Sequence, residues 1–156
     1  MFKPKKIIVP TDFSEHEDQC SIGAVKQAVE LARQFNAELE ILHVITKEVE
    51  RMPLFFLDDD KLEELQEKMA DHAFHELETI RDKYASDPEL KVKLKIREGI
   101  AYAEILNEQT EWGADLIVIG SHGHSRLQEF FYGSTTEKVA RRAHCSVLVA
   151  RKFVTD

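Results

Sequence analysis

Apolar positions along the chain fall into two alternating regimes: short β-branched runs, and longer stretches where they recur every third or fourth residue. Lys5 to Pro10 carries the continuous run Ile7-Ile8-Val9, the pattern of a strand buried on both faces of a parallel sheet. From about Asp18 to Asn36, Ile22, Val25, Val29, Ala32 and Phe35 recur at three- and four-residue spacing, which predicts a helix with Ser14 or Asp18 as its cap. Leu39 to Ile45 reads as a second strand. Asp60 to Tyr84 reads as a long amphipathic helix with the stripe Leu62, Leu65, Met69, Ala73, Leu77, Ile80 and Tyr84. From Leu90 to Ile96, Leu90, Val92, Leu94 and Ile96 alternate with lysines, the period of a half-exposed strand. That suits a sheet edge, where outward lysines discourage stray pairing. A helix from Tyr102 to about Trp112, stopped by Gly113, precedes a buried strand from Leu116 to Ile119. A helix from Ser134 to about Ala143 and a strand from Val147 to Ala150 complete the chain.

Strands alternating with helices imply right-handed crossovers and a parallel sheet covered on both faces. No linker, repeat or low-complexity tract interrupts the order, so residues 1–156 are expected to form one domain. One stretch stands apart. Met52-Pro53-Leu54-Phe55-Phe56-Leu57 is strongly apolar and runs into Asp58-Asp59-Asp60. It reads either as a connection packed on the core, with the aspartates capping the next helix, or as a lid or partner surface.

Charge and composition narrow the partners. The formal net charge is −8, with basic residues dispersed among acidic ones, so no basic face is expected for DNA or RNA. No apolar run approaches the ~20 residues needed to span a bilayer. The run after the basic start is too short for a signal-peptide core, so a cytoplasmic location is expected. Cys20 and Cys145 are far apart and form no CxxC; they read as small packing residues.

Candidate chemistry lies in the glycines. Gly120-Ser121-His122-Gly123 follows directly on the fourth strand, and Gly133-Ser134-Thr135-Thr136 opens the last helix. Ligands of open α/β sheets bind at the carboxyl ends of strands, where strand order reverses. A Gly-Ser-Thr-Thr helix start offers free N–H groups and up to three hydroxyls to an anion. The alternative is that the glycines serve turns only, which suits Gly120 and Gly123 better than Gly133. The P-loop, the dinucleotide fingerprint and the G-x-S-x-G elbow are all absent.

The spacing Gly120-x2-Gly123-x9-Gly133-Ser134 resembles the nucleotide-binding pattern of the universal stress protein family. Ile7 to Ser14 is similar to that family's first strand and turn, and Leu42-His43-Val44 to its second strand. Gly113 to Gly123 is similar to its fourth strand and loop, and Gly133 to Ala140 to its closing helix. The resemblance covers nearly the whole chain. It implies a Rossmann-like fold of the adenine nucleotide alpha hydrolase type: one open five-stranded parallel sheet in the order 3-2-1-4-5. It further implies ATP, or ADP or AMP, between the first and fourth strands, with Mg2+ allowed beside the nucleotide. By position, Pro10, Thr11 and Asp12 would line the adenosine end and Val44 would flank the adenine. Gly120, His122 and Gly123 would follow the ribose and phosphates. Gly133, Ser134 and Thr135 would hold the phosphate tail, with Thr136 nearby. Family members often dimerise through the last strand, here Val147 to Ala150, although Ser146 stands where many carry proline.

Other residues are weaker candidates. His122-Gly123-His124 is an incomplete metal set, and His72 and His75 read as surface residues, so no metal site is expected. The His-Gly-His string also resembles that of nucleotidyltransferases, but theirs follows the first strand. Three functions stay open: a nucleotide-dependent regulatory switch in stress response, a slow ATP hydrolase, and an interaction adaptor that makes no use of nucleotide. For the second, Arg126 and His124 are the nearby side chains suited to charge stabilisation or proton transfer.

Overall fold

A computed structural model describes residues 1–13, 20–46, 58–121 and 133–151. Nine elements alternate along it: β1 (Lys6–Pro10), α1 (Cys20–Phe35), β2 (Glu38–Thr46), α2 (Asp59–Tyr84), β3 (Lys91–Gly99), α3 (Ala101–Trp112), β4 (Leu116–Gly120), α4 (Ser134–Arg142) and β5 (Ser146–Ala150). The strands pair in parallel in the order β3-β2-β1-β4-β5, as expected from the sequence. The chain works outward from β1 to β3, then returns past β1 to β4 and β5. The reversal therefore lies between β1 and β4.

Alternation along the strands divides the core in two. Ile7, Val9, Leu39, Ile41, Leu116 and Val118 face α1 and α2, where Val25, Ala28, Leu77 and Ile80 meet them. Ile8, Leu42, Val44, Ile117 and Ile119 face the other way, against Ile105 of α3 and Val139 of α4. The central strands β1 and β4 are apolar on both faces because helices cover both. The edge strand β3 keeps Lys91 and Lys93 exposed.

Element ends follow local chemistry. α1 stops with Asn36 in the left-handed region at φ 53, and the Ala37 N–H reaches back to the Ala32 carbonyl. Its candidate caps, Ser14 and Asp18, lie outside the described residues. α2 starts at Asp58, whose carboxylate accepts the Lys61 N–H at 2.9 Å. The aspartate run does cap this helix, while residues 52–57 before it lie outside the described residues. β3 extends past Ile96 to Gly99, because its pairing with β2 continues to Thr46. α3 ends on Gly113 at φ 73.

Candidate functional site

The carboxyl ends of β1, β2 and β4 and the first turns of α1, α3 and α4 enclose a cleft of about 250 Å³. It opens where the strand order reverses, the position at which doubly wound sheets bind ligands. Nine of the eleven residues singled out from the sequence line it: Pro10, Thr11, Asp12, Val44, Gly120, Gly133, Ser134, Thr135 and Thr136. The other two, His122 and Gly123, lie outside the described residues, as do His124 and Arg126.

The β1 end is a tight turn with a fixed internal bonding pattern. The buried Thr11 hydroxyl lies 3.0 Å from that of Ser21 in α1 and accepts the Phe13 N–H at 3.2 Å. Phe13 sits in the left-handed region at φ 61, where an aromatic residue is strained. Its ring stacks on His43 with centroids 3.9 Å apart, and His43 Nδ1 lies 2.7 Å from the Thr11 carbonyl oxygen. That oxygen only accepts, so Nδ1 carries the proton. The turn thus held presents Asp12, the one acidic side chain among the described residues lining the cleft.

The β2 end supplies a strip of main chain. β1 pairing stops at Pro10 opposite Leu42, and the Thr11 N–H donates to the Leu42 carbonyl at 2.8 Å. β2 runs on to Thr46. By the alternation of a strand, Val44 turns its N–H and C=O toward the side that β1 has left. The apolar walls beside it come from Ala101 and Ile105 of α3 and Ile119 of β4.

The third side is the start of α4. Gly133 is its N-cap, and no side chain among the described residues caps the helix; its first N–H groups have no partner within the helix. Ser134 is exposed and Thr135 half-buried, and both line the cleft. Thr136 is different. It is buried, and its hydroxyl donates to the Gly120 carbonyl at 2.7 Å. Of the three hydroxyls expected to face an anion, this one has its proton committed to the end of β4. The Gly133 N–H also reaches the Ser121 carbonyl at 2.9 Å. Together these bonds fix α4 against β4.

Ser21, His43, Thr46, Ala101, Ile105 and Ile119 also line the cleft, and the glycine motif does not point to them. The signal that finds them is positional: residues at the carboxyl ends of strands and in the first turns of the helices. At the opposite end of the sheet, a shallow open groove is lined by Asp115, His144, Cys145 and Ser146. Its Asp115 carboxylate already accepts the Lys5 and Lys6 N–H groups, and burial pushes the Cys145 thiol up. These are structural roles.

A model described as the universal stress protein family matches residues 3–151. Universal stress protein MJ0577 of Methanocaldococcus jannaschii is 33% identical over 159 aligned residues, covering 95% of this chain and 95% of that protein. The solved structure of MJ0577 superposes with a TM-score of 0.80 at 32% identity, covering 99% of this chain and 100% of that one. UspA from Lactobacillus plantarum superposes at 0.77 with 29% identity, covering 94% and 97%. A universal stress protein solved in complex with cAMP shares the fold, with a TM-score of 0.69 at 20% identity, covering 97% and 100%.

Proposed function

The chain belongs to the universal stress protein family, and on that premise we propose that it is a regulatory protein whose cleft between β1 and β4 binds ATP, ADP or AMP. The observation that carries this reading is convergence. Residues from separate segments of sequence meet at one strand-end cleft, with a helix start that no described side chain caps on one side and an apolar slot on the other.

Each part of an adenine nucleotide has a complement there. The Val44 N–H donates to adenine N1, and the Val44 carbonyl accepts from the N6 amino group. Guanine presents the reverse, a donor at N1 and an acceptor at O6, so both contacts become mismatches. Ile105, Ile119 and Ala101 cover the faces of the base. Asp12 accepts hydroxyl protons of the ribose. The phosphates lie along Gly120, His122, Gly123 and Gly133, and take hydrogen bonds from Ser134, Thr135 and the first N–H groups of α4. Thr136 serves the site indirectly, by holding Gly120. Among the described lining residues the one carboxylate is Asp12 at the adenosine end, so Mg2+ would sit on the phosphates and water. One neighbour of this fold was solved with cAMP, itself an adenine nucleotide.

The regulatory output is assigned to association. β5 forms a sheet edge, and its Val147, Leu148 and Val149 are half-exposed. We assign this edge to a homodimer, and to nucleotide the role of changing that contact or a surface for a protein partner. The test begins with protein purified without added ligand. After denaturation, chromatography and mass spectrometry of the released material are expected to give roughly stoichiometric ATP, ADP or AMP. An empty protein that also fails to bind added ATP overturns the reading in favour of an adaptor.

A further inference from the structure

Glu40 lies in the middle of β2 with no exposure to solvent, between Ile8 of β1 and Lys93 of β3. An acid there is costly unless something offsets it. Neither of its carboxyl oxygens receives a hydrogen bond from the described residues. Lys93 Nζ stands 3.6 Å away and is itself half-exposed. The group facing Glu40 from α3 is another carboxyl, Glu108, which is 3% exposed. Glu108 is held in turn by Arg97 Nη1 at 2.7 Å, with Lys95 at 4.0 Å. Arg97 also binds Glu104 at 2.7 Å and Glu111 at 2.8 Å, so its charge is divided among three acids of α3. On the β1 side, Lys6 is engaged by the Trp112 carbonyl at 3.1 Å.

Two buried carboxyls face each other here with no donor from the described residues between them. One proton supplies the donor and removes the repulsion together. We propose that Glu40 keeps its proton and donates a hydrogen bond to the Glu108 carboxyl at the seam between α3 and the sheet, and that this bond holds α3, with the Ala101 and Ile105 wall of the cleft, in place. Glu40 is then a positioning residue acting through Glu108. Ile105 is three positions before Glu108 on the same helix, one turn nearer the cleft.

Burial first, and then the Glu108 charge, push the Glu40 carboxyl up to about 7 from its ordinary 4.5, with Lys93 and Lys95 opposing. The folded value lies above the unfolded one. The stabilisation is therefore complete below the unfolded value and is lost as pH rises through about 7. Alkaline conditions should loosen α3.

Two measurements on the ligand-free protein test the proton and the clamp. Infrared spectra of the folded wild type at pH 6 should contain a protonated-carboxyl C=O stretch that disappears by pH 9. Absence of that band at pH 6 overturns the proton on Glu40, and no variant is needed. Amide hydrogen-exchange protection in α3 should fall roughly tenfold between pH 6 and pH 8.5 in the wild type. In Glu40→Gln, whose amide supplies a permanent donor of the same shape, protection should stay level. Parallel profiles for the two proteins overturn the clamp. The consequence for the cleft rests on the nucleotide reading above and is measured with adenosine, which has no phosphate to titrate. Its affinity should fall with pH in the wild type and stay level in Glu40→Gln. Failure of adenosine to bind at any pH would count against the nucleotide reading, while the infrared and exchange results judge the proton.

Discussion

Thr136 and Ser134 are two positions apart and do different work. The Thr136 hydroxyl is buried and bonded to the Gly120 carbonyl, so Thr136→Val should cost about 1–2 kcal/mol in denaturant unfolding. Ser134 is exposed at the helix start. Ser134→Ala should leave stability nearly unchanged and weaken ATP more than adenosine, read by calorimetric titration of both ligands. Equal loss for both would move Ser134 away from the phosphates. The main-chain recognition proposed at Val44 makes its own prediction: GTP should bind at least roughly tenfold more weakly than ATP, since a single mismatched buried contact costs about 1–3 kcal/mol. Residues that came together in the cleft were legible where a motif marked them, as with Gly120 and Gly133-Ser134. Glu40 was not, because an acid inside a strand reads as its solvent face until the covering helix is known. The one local signal is its place between the apolar Leu39 and Ile41-Leu42.

Helices and strands were legible nearly to their ends, because each carries its own period and its own stop. Gly113 marks the stop of α3 in the sequence and adopts the left-handed conformation expected of one. A Cβ added there meets none of the described residues within 4 Å, so Gly113→Ala should cost the backbone strain, about 1 kcal/mol. Asp58→Ala removes the bond to the Lys61 N–H and should cost about 1 kcal/mol. Each change should lower the melting temperature by about 2–4 °C in a chain of this size. The sequence pattern ends β3 three residues short of its carboxyl end. Apolar alternation ceases after Ile96, yet main-chain pairing with β2 carries on through Arg97, Glu98 and Gly99. Arg97 belongs in the strand because three acids on α3 neutralise it, a long-range partnership that no local pattern announces.

The order of the five strands follows from the alternation of elements and the family resemblance together; periodicity alone gives a parallel sheet without its sequence of neighbours. Both cores meet on the same sheet, with β1 and β4 buried on both faces. A ligand at their carboxyl ends should therefore stabilise the domain as one unit. At a free concentration 100 times the dissociation constant the gain is about 2.7 kcal/mol, which should raise the melting temperature by several degrees in a single transition. Separate transitions, or a shift confined to one probe, would mean that the cleft is not shared by the two cores.

Trp112, the single tryptophan of the chain, lies half-buried at the far end of α3. Lys6 Nζ stands 5.4 Å and Lys93 Nζ 5.3 Å from its ring. Lys93 is also the cation beside Glu40. Indole emission responds to charges placed over the ring, so the molecule carries its own optical reporter at the α3 seam. Selective excitation of that one fluorophore should follow the seating of α3 through a pH titration in unlabelled protein.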